Sequence, residues 1–221
     1  MAKILTALFP KKRRLGAMTK QSRFDSLVKR AQICSKCPRM NGRRRVLGPS
    51  NGPLDAQVMF IAEAPGRLGA EKYGIPLFGD QTGRNFASFL ESAEIDRTKV
   101  FITNAILCNP INQIGVNDTP TKAEIFNCSD FLRETIDILS PAFIVPLGRI
   151  ALKALAVIEP HTVTLSSSVA EPINWRNCIL LPLFHPSPRV FSQRSKCQQC
   201  VDYQVLGKIT RNATTEIDNG K

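Results

Sequence analysis

The chain has 221 residues and a mass of 24.5 kDa, with 43% hydrophobic and 22% charged residues. This composition suits one folded domain with a sizeable core and excludes a chain that is disordered throughout. No run of eighteen apolar residues occurs, so the sequence predicts no membrane-spanning helix. The N-terminus has a short apolar stretch followed by charges, the reverse of a signal peptide. We therefore expect a cytoplasmic protein with reduced cysteines.

The positive charge is concentrated near the N-terminus. The net charge is +12, and residues 1–45 carry 14 of the 30 lysines and arginines but a single acid, Asp25. We predict a basic flexible arm over 1–17, one domain over 18–208 and a flexible tail over 209–221. Such an arm favours DNA as a partner, because lysines and arginines contact phosphates and release counterions. A solvated tail or affinity for anionic lipid is the alternative.

Strand-like and helical patterns alternate along the domain. Helical spacing predicts a first helix over 19–33. Apolar runs typical of buried strands follow, at 58–64, 100–107, 143–148 and 178–184. Helical patterns lie between and after them, at 85–93, 121–139, 149–157 and 197–208. This alternation predicts a three-layer α/β/α sandwich with a central, mainly parallel four-stranded sheet.

Three polar residues lie at the ends of the predicted strands. Glu63 falls at the end of the first, Asn104 lies within the second, and His185 follows the fourth. Ligands of open α/β sheets bind at the carboxyl ends of the strands. The sequence therefore predicts a binding or catalytic site at this edge, although polar strand ends are common in α/β proteins.

Five short motifs, in this order and spacing, resemble the uracil-DNA glycosylase superfamily and, most closely, its iron–sulfur family-4 type. They are AEAPG (62–66), GIPLFGDQTG (74–83), TNAILCNP (103–110), EIFNC (124–128) and FHPSP (184–188). The resemblance covers about residues 30–206. It implies the fold of that superfamily. It also implies a monofunctional DNA glycosylase that flips out a uracil or related pyrimidine, hydrolyses the N-glycosidic bond and leaves an abasic site.

The resemblance also implies a [4Fe–4S] cluster, which four thiolates usually hold. The residues that match the family's ligands are Cys34, Cys37, Cys108 and Cys128. A four-cysteine zinc site is the rival metal centre, and buried free thiols are the alternative without a metal. Cys197 and Cys200 form a second Cys-x2-Cys pair, which we interpret as helix residues outside the cluster.

Catalytic roles follow from the same resemblance. Glu63 is expected to stabilise a cationic sugar and orient the water, with Glu71 as a further carboxylate. His185 is expected to donate a hydrogen bond to O2 of the departing base as negative charge grows there. Asn104 matches the family's base-selecting amide, which offers one donor group and one acceptor. The alternative for each is an ordinary polar residue at a strand end.

The motifs also imply contacts to the flipped base and to the opened duplex. Backbone N–H groups around Ala64 are expected to reach a base carbonyl, and Leu77 or Phe78 to stack on the base. The loop after His185 is expected to enter the minor groove. Its candidate residues for wedging into the DNA are Ser187, Arg189, Val190 and Phe191.

Three departures from the family pattern fall near the predicted pocket. Leu77 stands where the family usually has an aromatic residue, and Asn109 stands where it usually has arginine. The segment 79–83, with Asp80, is one residue longer than the usual form. These departures leave open a glycosylase for a modified pyrimidine, for example in a defence against phage DNA.

A non-catalytic iron–sulfur module that binds DNA is the second alternative. The joint presence of Glu63, Asn104 and His185 argues against it. We expect DNA to be the partner and the protein to be a monomer, with no membrane association and no obligate protein partner.

Overall fold

The computed structural model describes residues 18–219, so the predicted arm over 1–17 lies outside it. The strands are β1 (Val58–Ala62), β2 (Phe101–Asn104), β3 (Phe143–Pro146), β4 (Ile173–Trp175) and β5 (Cys178–Leu180). The helices are α1 (Lys20–Gln32), α2 (Ala70–Tyr73), α3 (Gln81–Ser92), α4 (Lys122–Leu139), α5 (Arg149–Ile158), α6 (Leu165–Ser168) and α7 (Lys196–Asn219).

The sheet has five strands in the order β2-β1-β3-β5-β4. Neighbours among β2, β1, β3 and β5 are parallel, whereas β4 pairs antiparallel with β5 at the edge. The prediction of four strands was therefore one short. The missed strand, Ile173–Trp175, has only three residues, too few to show a clear periodicity, and a tight turn at Arg176, with φ +51°, joins it to β5.

The strands end earlier than their apolar runs suggested. β1 stops at Ala62 and β2 at Asn104, although residues 105–107 remain buried. Backbone hydrogen bonds continue past both ends, from Ala105 N to Ala62 O (2.7 Å) and from Ile106 N to Glu63 O (3.3 Å). The segments after β1 and β2 therefore stay side by side as they leave the sheet.

Two apolar cores lie on opposite faces of the sheet. Met59 and Ile61 of β1 belong to the core beneath α1, α4 and α5, and Phe60 and Ala62 to the core beneath α3 and α7. A strand covered on both faces is apolar at every position, as the continuous run in the sequence indicated. The predicted three-layer α/β/α arrangement is thus confirmed.

The last helix is longer than predicted. α7 continues to Asn219, so the prediction that the helix ends at 208 was wrong. Ile209 and Ala213 pack against the same core as Leu206, which extends the helical pattern beyond the predicted end. No helix within residues 18–219 is long and apolar enough to cross a membrane.

Candidate active site and cysteine pocket

The three polar residues at strand ends lie along one edge of the sheet. Asn104 ends β2 and pairs in register with Ala62, so Glu63 follows directly beside it. His185 comes after β5, and its Cβ would lie 3.4 Å from a Cβ placed on Gly148, just after β3. The parallel strands therefore order these groups across the carboxyl edge as Asn104, Glu63 and then His185.

Asn104 carries a hydrogen-bond donor that is buried without a partner. The side chain is 2% exposed, and its Nδ2 has no acceptor among the described residues. A buried amide donor without an acceptor costs about 1–3 kcal/mol. A carbonyl group of a bound base would supply the missing acceptor.

His185 is neutral at neutral pH. Burial lowers its pKa to about 4, although the nearby Asp80 carboxylate acts in the opposite direction. Its loop is fixed by Asn85 on α3, whose Nδ2 donates to Pro186 O at 2.9 Å. A neutral imidazole has one N–H to donate, so His185 offers a held donor without a full charge.

Glu63 is half-buried just after β1. Burial raises the pKa of its carboxyl group, and the positive charges of Arg189 and Arg149 partly offset this effect. Both arginines are exposed, at the loop after His185 and at the start of α5. The arrangement places an acid of raised pKa between two cations.

Loop 66–83 folds back on itself at its glycines. A Cβ on Gly69 would lie 2.7 Å from both Asp80 Oδ2 and Phe78 O, so glycine allows this close approach. Asp80 also begins α3, because its Oδ1 accepts from Gly83 N at 2.9 Å. Leu77, at φ +47°, packs against the core beneath α3 and α7. The Phe78 ring instead faces solvent.

Glu71 lies towards the cysteines. It forms an ion pair with Arg43 at 3.2 Å, and its negative charge acts on Cys108. Its second carboxylate oxygen is buried without a partner among the described residues. These contacts connect α2 to the segment that carries the first two cysteines.

The candidate wedge residues in the loop after His185 differ in their exposure to solvent. Ser187 Oγ accepts from Arg189 N at 3.4 Å and begins a short 3-10 turn. Arg189 is exposed and Val190 half-buried, but Phe191 packs against the core beneath α3 and α7. Arg189 is therefore the most accessible of the four.

Four cysteines line one pocket, which is partly open to solvent. The pocket lies at the end of α1, the turn after it, the segment after β2 and the start of α4, and the cysteines are Cys34, Cys37, Cys108 and Cys128. Burial raises the pKa of Cys108 to about 11 and that of Cys128 to about 12. Arg45 opposes the shift at Cys108.

Two of these sulfurs accept hydrogen bonds, from Leu107 N to Cys128 Sγ at 3.4 Å and from Asn127 Nδ2 to Cys37 Sγ at 3.6 Å. Within residues 18–219, no three Cys, His, Asp or Glu side chains are grouped closely enough to hold a single metal ion. In an iron–sulfur cluster each thiolate binds a different iron, which requires a wider arrangement.

The other cysteines do not line this pocket. Cys178 Sγ donates to Trp175 O at 3.1 Å. Cys197 is exposed, and Cys200 packs against the core beneath α3 and α7.

Comparison with known proteins identifies the family. The family model "Uracil DNA glycosylase superfamily" matches residues 49–204. The chain belongs to this superfamily. The predicted family and fold are thereby confirmed, together with the predicted enzyme class, a hydrolase of N-glycosidic bonds.

Three relatives show how widely the similarity extends. The chain is 33% identical over 202 residues to the Type-4 uracil-DNA glycosylase of Saccharolobus solfataricus, covering 89% of this chain and 90% of that protein. It is 32% identical over 171 residues to the Type-4 enzyme of Thermotoga maritima, covering 76% and 84%. The Type-5 uracil-DNA glycosylase of Pyrobaculum aerophilum is 28% identical over 193 residues, covering 75% and 83%.

Two residues that position the site were not predicted from the sequence. Asn85 holds the His185 loop, as described above. Asn109 is fully buried, and its Nδ2 donates both to Pro65 O at 2.6 Å and to Asn117 Oδ1 at 2.9 Å. Asn117 Oδ1 in turn accepts from Arg67 N at 3.0 Å. Asn85 could have been noticed as a polar residue on the apolar face of a helix.

Proposed function

We propose that this glycosylase excises uracil from DNA and leaves an abasic site. The observation that carries the proposal is the buried, unpartnered Nδ2 of Asn104 beside Glu63 at the carboxyl edge of the sheet. The relatives named as uracil-DNA glycosylases support the same substrate. The protein acts on DNA as a monomer in this proposal.

In the amide orientation of the structure, Asn104 favours uracil over cytosine by its donor, whereas the flipped amide would pair with cytosine, so this residue alone does not fix the base. O4 of uracil is a carbonyl that accepts a hydrogen bond from Nδ2, whereas cytosine carries an amino group at that position. Bound cytosine would place two donors against each other in a buried site, which leaves both unsatisfied. Backbone N–H groups around Ala64, in the turn after Glu63, would reach a further carbonyl of the base.

The chemistry uses charge that appears only when the bond breaks. His185, held neutral by its surroundings, donates its N–H to O2 of the base as negative charge develops there. Glu63 in its ionised form stabilises the cationic sugar and orients the attacking water. Arg189 lies along the strand from which the nucleotide is flipped and fills the space that this nucleotide leaves. Glu71 supports the site through its ion pair with Arg43.

The cysteine pocket fits a [4Fe–4S] cluster by its donor set, four thiols around one cavity with hydrogen bonds to two sulfurs. Its ligands would be Cys34, Cys37, Cys108 and Cys128. When bound, the cluster would supply a cross-link between α1, the end of β2 and α4. The raised pKa values of Cys108 and Cys128 mean that the metal must replace protons when it binds. A cytoplasmic location keeps such thiols reduced.

The substrate is tested with a panel of single- and double-stranded oligonucleotides, each with one altered base, under enzyme excess. We expect release of uracil, and a loss of about 100- to 1000-fold in rate for His185→Ala or Glu63→Ala with little change in DNA affinity. Asn104→Ala should also lose discrimination between uracil and cytosine. His161→Ala is the matched control, because His161 bonds Leu152 O away from the site.

The outcomes separate the candidates. Release of a 5-substituted pyrimidine but not of uracil would replace the proposal by the modified-base alternative. Release of no base from any oligonucleotide, with DNA binding intact, would favour the non-catalytic module.

A further inference from the structure

Two aromatic rings stand together on the surface of the segment between Glu63 and α3. Tyr73 at the end of α2 and Phe78 are 45% and 47% exposed, and their ring centroids are 5.7 Å apart at 89°. Phe78 directly follows Leu77, the residue expected at the stacking position of the base. We call Tyr73 and Phe78 the aromatic pair.

The loop holds the aromatic pair in place without burying it. The Tyr73 ring lies over Gly79, where a Cβ would come within 2.3 Å of the ring, and Gly79 has φ +87°. A Cβ on Gly83 would lie 2.8 Å from Phe78 Cα. These contacts hold both rings while about half of their surface faces solvent. Binding a partner would therefore cost the protein little side-chain conformational entropy.

Two cations lie close to the aromatic pair along the chain. Lys72 Nζ is 5.1 Å from the centroid of the Tyr73 ring. Arg44 lies against Gly74, the residue after Tyr73, with Nη1 2.7 Å from where a Cβ on Gly74 would be. Both cations are exposed. Aromatic faces close to cations are typical of surfaces that bind single-stranded nucleic acid.

We propose that the aromatic pair binds the base next to the flipped nucleotide on the same DNA strand, with Lys72 and Arg44 contacting the adjacent phosphates. This inference rests on the proposed function, since it extends that site by one nucleotide. Flipping removes a stacking neighbour from the flanking base, and the exposed rings replace it. The positive charges of Lys72 and Arg44 favour a DNA strand over a protein partner.

The test measures binding to single-stranded oligonucleotides that carry an uncleavable uracil nucleotide. The base on its 5′ or 3′ side is either present or replaced by an abasic spacer. For the wild type, removing the base that stacks should weaken binding about 5- to 150-fold, while the spacer on the opposite side has less effect. Phe78→Ala should weaken binding to the complete oligonucleotide similarly and abolish the difference between base and spacer.

The controls separate stacking from loop damage. Tyr73→Ala removes the cover of Gly79 as well as a ring, so Tyr73→Trp and Phe78→Trp are included and should keep the preference for a flanking base. Phe126→Ala is the matched exposed aromatic, 67% exposed on α4, and should leave binding unchanged.

The inference is overturned if wild-type protein binds spacer and base equally on both sides, or if Phe78→Ala retains the full difference. Uracil release by a protein with either result would leave the proposed function standing. Flanking-base binding without release of any base would instead overturn the proposed function alone.

Discussion

Asn109→Asp is the substitution that most directly tests how the turn after Glu63 is held. The Asn109 side chain is fully buried and uses both protons of Nδ2, towards Pro65 O and Asn117 Oδ1. Aspartate keeps the shape of the side chain but replaces this donor by an acceptor. The turn that carries Glu63 would then face a carboxylate oxygen where it now accepts a hydrogen bond.

The cost follows from these contacts. Two lost hydrogen bonds contribute about 1 kcal/mol each, and the stranded carbonyl of Pro65 about 1–3 kcal/mol more. Burial of a carboxyl group against two acceptors adds to this sum. For a chain of this length, about 4 kcal/mol lowers Tm by roughly 8–16 °C. Asn109→Leu should cost less, about 2 kcal/mol, because it also removes an Oδ1 that is already buried without a partner.

Asn112→Asp, three residues further along the same segment, is the matched control. Asn112 Oδ1 accepts from Ile114 N and Val116 N, both at 3.1 Å, and aspartate preserves both bonds. Thermal unfolding and single-turnover excision should therefore change for Asn109→Asp and remain near wild type for Asn112→Asp. Equal Tm values for the two variants would refute the donor role of Asn109. A destabilised Asn109→Asp that excises at the wild-type rate at low temperature would refute its link to catalysis.

Three further predictions concern pH, metal and salt. The single-turnover rate should fall as pH drops through the pKa of Glu63, because only the ionised carboxylate stabilises a cation. Burial raises this pKa above the ordinary value of a glutamate. Glu63→Gln should be slow at every pH and should lack this loss of rate at acid pH. Cys34→Ser should lower soluble yield and visible absorption near about 400 nm, whereas Cys197→Ser at an exposed position should change neither. Deletion of residues 1–17 should reduce the slope of log affinity against log salt by roughly 4–5, since five cations are lost, without changing which base is released.

The sequence predicted long-range features better than local ones. Buried parallel strands leave a continuous apolar run, so β1 could be predicted, and its carboxyl end located Glu63. The three-residue β4 has no comparable signal, because its stability comes from pairing with β5 through a tight turn at Arg176. The end of α7 was misjudged because its weakly apolar face is fixed by packing at Ala213 rather than by a strong local pattern.

Side-chain direction could not be predicted from motif position. Leu77 and Phe78 both stood near the expected stacking position, but φ +47° at Leu77 turns its neighbour Phe78 towards Tyr73 and solvent. Glu71 was expected as a further catalytic carboxylate and Phe191 as a candidate wedge residue, both from the family resemblance. Their observed contacts are with Arg43 and with the core beneath α3 and α7, which only the folded chain reveals.

The cysteine pocket is connected to the turn after Glu63 through the residue next to Cys108 and one hydrogen bond. Cys108 lines the pocket, and the next residue, Asn109, holds Pro65 in the turn after Glu63. A movement of Cys108 by a few tenths of an ångström would stretch a 2.6 Å hydrogen bond whose strength depends steeply on geometry. The Glu71–Arg43 pair connects the same two regions from the other side. A metal centre at these cysteines would therefore affect the rate without taking part in the reaction, because holding Cys108 also holds Asn109 and its hydrogen bond to the turn after Glu63, the proposed catalytic carboxylate.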